Sequence, residues 1–175
     1  MNNYLIIPGL GNSGPTHWQT YFEKSGKGFQ RVEQEDWNTP DCADWIKKID
    51  EAIETVGSPD TVVLVGHSLG CIAIAHWAAR YKRKIKGAML VAPSDVESAN
   101  YVFDTTGFSP IPLNPLGFKS TLVASTNDQW VSLDRAIYFA DKWGSKLINI
   151  GPAGHINVSS GHTTWDLGLE ILKAI

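Results

Sequence analysis

The sequence predicts an α/β protein in which a mostly parallel sheet of about six strands lies between two layers of helices. Short apolar runs rich in β-branched residues recur along the chain, and stretches with the 3.6-residue periodicity of amphipathic helices separate them. Strands that alternate with helices are typical of parallel sheets covered on both faces. The 175 residues, 43% of them hydrophobic, are enough for one well-packed domain over residues 1–175.

The strands are expected where short apolar runs are bounded by turn residues, because a strand buried on both faces carries few polar side chains. One run, QRVEQ, is weaker and is expected at an edge of the sheet. The predicted strands are 4–8, 30–34 (the edge strand), 61–65, 87–92, 121–125 and 146–150.

The helices are expected between these runs. In the clearest one, Thr39 is the predicted N-cap, Pro40 occupies the first helical position and Gly57 follows the last turn. The predicted helices are 16–24, 39–57, 69–81, 133–143 and 164–175.

Composition argues against several classes of function. The formal net charge of −3 is too small to indicate a nucleic acid or an anionic membrane as a partner, and the basic run over 80–86 is interpreted as the solvated end of a helix. Two cysteines, Cys42 and Cys71, do not match a metal site or a disulfide scaffold. No run has the length of a membrane span or the character of a signal peptide, so the expected location is cytoplasmic.

Residues 66–70 read Gly-His-Ser-Leu-Gly between a predicted strand and a predicted helix. This G-x-S-x-G pattern is typical of a nucleophile elbow, where a serine stands on a sharp turn. The glycines let neighbouring backbone approach, and the helix N-terminus favours negative charge near Ser68. The alternative is a plain turn with Ser68 as N-cap. His67 is expected to point away from Ser68 and to pack beside the turn.

A serine nucleophile needs a base and an orienting carboxylate, which follow such an elbow in the order acid, then histidine. Asp128 and His155 each come directly after a predicted strand, at the edge of the sheet where the elbow also lies. We therefore predict a triad of Ser68, Asp128 and His155. The alternatives are Asp95 as the acid and His162 as the base, whereas Asp134, His17 and His76 are assigned to helices with core, capping or surface roles.

Hydrolysis through a serine also needs N–H donors for the oxyanion. One is expected at Leu69, directly after the nucleophile. The other is expected in the loop PGLGNSG after the first strand, at Leu10, with Gly11 as the second choice.

Loop 94–120 contains three prolines and two glycines, so it is expected to fold over the edge of the site without forming a lid domain. A shallow, apolar pocket that prefers short acyl chains is predicted, with Trp18, Trp130 and Phe108 as its candidate walls. The alternative is that the apolar side chains of this loop only fill the core; they are Phe103, Phe108, Ile111 and Leu113.

Four segments together resemble the small α/β-hydrolases similar to retinoblastoma-binding protein 9. They are IIPGLGNSGPTHWQTYF (6–22), VLVGHSLGC (63–71), VASTNDQWV (123–131) and GPAGHIN (151–157). The resemblance covers nearly the whole chain. It implies a trimmed, three-layer α/β-hydrolase fold without a cap domain, and it implies the same triad.

The sequence thus predicts a serine hydrolase that cleaves small carboxylic esters or thioesters without a metal or an organic cofactor. One alternative is a protein-interaction module with little turnover, and another is an acyltransferase or lyase on the same fold. A protein partner beside the small-molecule substrate is left open.

Overall fold

The structure is a computed structural model, and it describes residues 2–175. Its strands are β1 (Asn3–Ile7), β2 (Phe29–Arg31), β3 (Val62–His67), β4 (Gly87–Val91), β5 (Lys119–Ala124) and β6 (Lys146–Asn149). They form one sheet in the order β2-β1-β3-β4-β5-β6, and each neighbouring pair is parallel. The predicted parallel sheet is confirmed, and its weakest strand lies at the edge as expected.

Five α-helices cover the sheet. They are α1 (Trp18–Lys24), α2 (Cys42–Val56), α3 (Leu69–Tyr81), α4 (Leu133–Trp143) and α5 (Asp166–Lys173). The apolar side chains of α2, α3 and α4 share one core cluster, whereas those of α1 and α5 belong to a second cluster. The helices therefore form the two outer layers of the predicted three-layer fold.

The central strand β3 shows why its first four residues are all apolar. Val62 and Leu64 pack into the cluster beneath α2, α3 and α4, whereas Val63 and Val65 pack into the cluster beneath α1 and α5. All four side chains are fully buried. Successive side chains of a strand point to opposite faces, so a sheet covered on both faces needs an apolar residue at every position.

The start of α2 differs from the prediction. Asp41, not Thr39, is the N-cap, because its carboxylate accepts hydrogen bonds from the N–H groups of Ala43 (2.8 Å) and Asp44. The Thr39 hydroxyl instead donates to the carboxylate of Asp36 at 2.6 Å. The Thr39 hydroxyl, which the local pattern assigned to the cap of the helix, is therefore bonded to Asp36 instead.

The connection from β4 to β5 forms no helix or strand, and the part of the chain that the structure describes contains no cap domain. Cys42 and Cys71 are free and buried, and burial raises the pKa of both thiols. Of the helices within residues 2–175, none has both the length and the apolar character needed to cross a bilayer.

Candidate active site

Ser68 stands between β3 and α3 with an unusual backbone conformation, φ 55° and ψ −123°. A positive φ is uncommon outside glycine and persists only where surrounding contacts impose it. Here the Ser68 N–H donates to the carbonyl of Val91 on the neighbouring strand at 3.0 Å. The Ser68 side chain makes no hydrogen bond to the helix that follows it. The interpretation as a plain N-cap is therefore wrong, and the hydroxyl is available to other groups.

The glycines around the elbow bring two loops into contact. A Cβ atom on Gly70 would collide with the carbonyl oxygens of Ile7 and Pro8. A Cβ atom on Gly9 would lie 2.8 Å from the Cβ of Ser68. The loop after β1 consequently lies directly against the elbow, which is possible only because both positions lack a side chain.

The structure brings Ser68, Asp128 and His155 together. The Ser68 Oγ lies 2.9 Å from His155 Nε2, and His155 Nδ1 lies 2.8 Å and 3.0 Å from the two carboxylate oxygens of Asp128. The Asp128 side chain is fully buried, and one of its oxygens also accepts the N–H of Trp130 at 2.8 Å. These distances suit transfer of a proton from the serine to the imidazole.

Two hydrogen bonds to side-chain oxygens, and one from the N–H of Thr126 to the carbonyl of Gly151 at 2.9 Å, join the loop that carries Asp128 to the loop that carries His155. The N–H of Ala153 donates to Ser125 Oγ at 2.9 Å, and the N–H of Gly154 donates to Asn127 Oδ1 at 2.7 Å. Both of these donors, Ala153 and Gly154, lie within two residues of His155, so the loop that carries Asp128 also positions the backbone next to His155.

The alternative acid and base lie elsewhere. The Asp95 carboxylate pairs with the guanidinium of Arg135 at 3.1 Å, and His162 Nδ1 contacts the hydroxyl of Ser160 at 3.2 Å. Asp134 is exposed in the first turn of α4, as expected. The structure does not bring any of these side chains into contact with Ser68.

Three imidazole rings, those of His17, His67 and His155, form a row that ends at Ser68. The ring centroids of His17 and His67 are 4.9 Å apart, and those of His67 and His155 are 5.0 Å apart. Burial holds the pKa of His67 well below its ordinary value, so this ring is neutral and its Nε2–H donates to the carbonyl of His155 at 3.0 Å. Burial, with the Arg31 charge as a smaller cause, lowers the pKa of His17 to about 4. Both rings therefore place no positive charge next to the base at neutral pH.

Two of the predicted pocket walls belong to the core instead. Trp18 is fully buried against Trp165, and its indole N–H donates to the carbonyl of Ile156 at 2.8 Å. Phe108 is 1% exposed and packs edge-on against Trp45. These two predictions are wrong, because a large aromatic side chain is stabilised by full burial where the fold offers it. Trp18 instead holds the residue that follows His155.

A cavity of about 360 Å³ opens above Ser68. Trp130 lines it, as expected, and forms an edge-to-face row with Phe103 and Tyr101, with centroid separations of 5.0 Å and 5.2 Å. Phe103 is 40% exposed, so this aromatic row reaches the mouth of the cavity. The other lining residues are Gly9, Leu10, Asn12, Gly14, His17, His67, Ser94, His155, Asn157, Val158 and Ser159.

The loop after β1 lines this cavity with Gly9, Leu10, Asn12 and Gly14. The N–H of Gly11 is already used, because it donates to the carbonyl of Trp37 at 2.7 Å. Leu10 lines the cavity, and within residues 2–175 its N–H has no hydrogen-bond acceptor. Leu69 is the first residue of α3, where N–H groups lack an intrahelical partner. The N–H groups of Leu10 and Leu69 therefore remain free to donate, whereas that of Gly11 does not.

Two polar residues, the half-buried Arg31 and the buried Gln19, hold this loop in place. Arg31 on β2 donates to the side-chain oxygen of Asn12 and to the carbonyl of Ser13, both at 2.7 Å. Gln19 is fully buried, accepts the Ser13 hydroxyl at 2.6 Å and donates to the carbonyl of Val65 at 3.0 Å. No local sequence signal indicates these roles, since each partner comes from a different segment of the chain.

Sequence reasoning also missed Ser94, whose Oγ lies 2.7 Å from the Oγ of Ser68. A signal for it did exist. Ser94 follows β4 at the carboxyl edge of the sheet, which is the same placement that selected Asp128 and His155.

Comparison with known proteins is consistent with this geometry. The chain is 31% identical to Methylesterase 9 of Arabidopsis thaliana over 151 residues, which are 85% of the chain. It spans about half, 52%, of the length of that curated relative. Among solved structures, a YdeN-like hydrolase from Pectobacterium atrosepticum superposes with a TM-score of 0.87 at 34% identity, covering 98% of this chain and 89% of the other.

More distant structures share the fold. The ydeN gene product of B. subtilis matches with a TM-score of 0.80 at 19% identity, over 99% of this chain and 98% of its own.

The model of the serine hydrolase family matches residues 4–174, which is almost the entire chain. With the small α/β-hydrolase fold and this family match both in place, the chain belongs to the serine hydrolase family.

Proposed function

We propose that this protein hydrolyses small carboxylic esters or thioesters through an acyl-enzyme on Ser68. The observation that carries the proposal is the continuous contact from Ser68 Oγ to His155 Nε2 at 2.9 Å and from His155 Nδ1 to Asp128 at 2.8 Å. In this arrangement the imidazole can act as the base for the serine, and the buried carboxylate can stabilise the positive charge that the ring then carries.

In acylation, His155 Nε2 takes the Ser68 proton while Ser68 Oγ forms a bond to the carbonyl carbon of the substrate. The Asp128 carboxylate accepts the Nδ1–H of the ring and stabilises the imidazolium that forms. The N–H groups of Leu69 and Leu10 hold the oxyanion. The imidazolium then gives its proton to the departing alcohol or thiol as the bond from carbon to the leaving group breaks.

In deacylation, a water molecule attacks the acyl carbon and transfers a proton to His155 Nε2. The bond from carbon to Ser68 Oγ breaks, and the proton returns from the imidazolium to the serine. The carboxylic acid leaves, and the site regains its starting protonation state. None of these steps requires a cofactor, and a single domain of residues 1–175 supplies each group.

The shape of the cavity supports a small acyl group. A volume of about 360 Å³ is near the lower end for ligand sites, and Trp130, Phe103 and Tyr101 give it one apolar side. Each methylene that fits contributes about 0.8 kcal/mol of binding, whereas carbons beyond the exposed Phe103 gain no further contact. We therefore expect p-nitrophenyl esters of short acids to react best. Highest activity on palmitate would contradict a small acyl site.

The central test is covalent labelling with a fluorophosphonate, which reacts only with an activated serine. The protein is expected to be labelled at Ser68, and Ser68→Ala is expected to lose both labelling and ester turnover. Ser58→Ala is a suitable control, because Ser58 is exposed and its side chain makes no capping hydrogen bond. Labelling that persists in Ser68→Ala would refute the assignment of the nucleophile.

A further inference from the structure

A second hydroxyl lies beside the oxygen of Ser68. The Oγ of Ser94 is 2.7 Å from the Oγ of Ser68, and Ser94 is 3% exposed. The backbones of the two residues are also in contact, since the Ser94 N–H donates to the carbonyl of Ser68 at 3.4 Å. Ala92, two residues earlier, has a φ of 48°, which turns the chain sharply as it leaves β4. The loop after β4 therefore presents one short side chain to the elbow.

The hydrogen-bond partners of Ser68, Ser94 and His155 determine which of their atoms carry the protons. His155 Nδ1 faces two oxygens of the Asp128 carboxylate, which can only accept, so Nδ1 carries a proton. In the neutral ring, Nε2 is then an acceptor and takes the Ser68 hydroxyl proton. Because that proton is already used, the hydroxyl of Ser94 must be the donor in the pair of serines.

We infer that Ser94 is a positioning residue, whose hydroxyl holds Ser68 Oγ in the orientation that faces His155. This inference rests on the proposed function. A serine side chain has three staggered rotamers, and Ser68 has no capping bond to the helix that would select one. Its side-chain partners are His155 at 2.9 Å and Ser94 at 2.7 Å. Two contacts to one oxygen define its position, whereas one contact leaves it free to turn.

The role is specific to one half of the reaction. In acylation, Ser68 gives its proton to His155 and bonds to the acyl carbon, while Ser94 keeps its own proton. Once the acyl-enzyme has formed, the covalent bond itself holds Ser68 Oγ. Ser94 therefore accelerates acylation, and hydrolysis of the acyl-enzyme proceeds without its help.

The test compares Ser94→Ala with a matched control. Ser120 is 4% exposed and forms a hydrogen bond of the same 2.7 Å length with Ser145, at the start of β5 and away from the site. Losing one hydrogen bond of this type corresponds to roughly a tenfold change. Ser94→Ala is expected to react about tenfold more slowly with a fluorophosphonate, and Ser120→Ala to react at the wild-type rate. Ser94→Thr keeps the hydroxyl and is expected to restore most of the rate.

Steady-state kinetics add a readout that a purely structural defect would not give. For an ester whose deacylation limits turnover, Ser94→Ala is expected to leave kcat unchanged and to raise KM about tenfold. The loss in kcat/KM is expected to be the same for acetate, butyrate and hexanoate esters.

Three results would overturn the inference. A wild-type labelling rate in Ser94→Ala refutes it, as does a Ser94→Thr variant that is as slow as Ser94→Ala. A loss that depends on the acyl group assigns Ser94 to substrate contact instead. If the wild-type protein itself is not labelled, the proposed function fails and this inference fails with it, so the two failures are distinguishable.

Discussion

The neutral His17 beside the site predicts how stability depends on pH. This imidazole is 7% exposed, caps α1 by accepting the N–H of Gln19, and has a pKa lowered to about 4, first by burial and then by the charge of Arg31. In the unfolded chain its pKa is about 6.5. Between these values the unfolded state binds more protons than the folded state. The free energy of unfolding therefore falls as pH decreases through this window, and the full contribution of His17 is present above it.

The size of the effect follows from the two pKa values. At pH 5 the unfolded imidazole is almost fully protonated and the folded one is mostly neutral, which costs about 2 kcal/mol relative to pH 7. His17→Asn removes the titrating group but keeps a side-chain oxygen that can accept the same N–H, since asparagine is a favourable N-cap. His67 is buried neutral in both proteins, so its contribution cancels in the comparison.

The assay is urea unfolding of the wild type and of His17→Asn at pH 7 and pH 5. Between these pH values, the wild type is expected to lose about 2 kcal/mol more of its free energy of unfolding than the variant. Equal losses in the two proteins would show that His17 titrates normally in the folded state. The reasoning from its burial would then be refuted.

Three further substitutions test individual contacts. Asp128→Asn is expected to lower kcat/KM by about four orders of magnitude while the protein stays folded; if Asp95→Asn has that effect instead, the acid is misassigned. Gly70→Ala places a Cβ against backbone carbonyl oxygens and is expected to lower Tm by many degrees. Gly26→Ala is the control, because its Cβ would meet no atom within 4 Å, and similar Tm values for the two variants would contradict the predicted collision. Trp18→Phe removes the donor to the loop that carries His155 and is expected to cost about 1–3 kcal/mol in the free energy of unfolding, measured in urea; an unchanged value would mean that water replaces the indole.

The parts of the fold that depend on nearby residues could be predicted from the sequence. The first four residues of the buried strand β3 are apolar whatever their partners are, and Gly57 follows the last residue of α2 with a left-handed φ of 71°, as the pattern indicated. The elbow around Ser68 is likewise a local pattern, because glycines at fixed distances permit the turn. Asp128 and His155 could be selected because each follows a strand, and parallel strands end at one edge of the sheet.

The start of α2 depended on a distant segment. Asp41 forms a bridge with Thr106, and the N–H of Cys42 donates to the Thr106 carbonyl at 2.9 Å. Together with the capture of Thr39 by Asp36, this contact places the cap two residues later than the local pattern indicated. A capping preference is worth about 1 kcal/mol, so a few contacts with another segment can decide between neighbouring candidates.

The sequence by itself determined the order of strands and helices, the elbow and the three residues placed together at the sheet edge. Only the tertiary structure decided what the large aromatic side chains and the short polar ones contact. Trp18 and Phe108 were expected at the pocket and lie in the core, whereas Ser94 was passed over and contacts the hydroxyl of Ser68. The physical reason is that periodicity and turn chemistry act over a few residues, but the partner of a buried side chain is fixed by segments that meet only when the chain has folded.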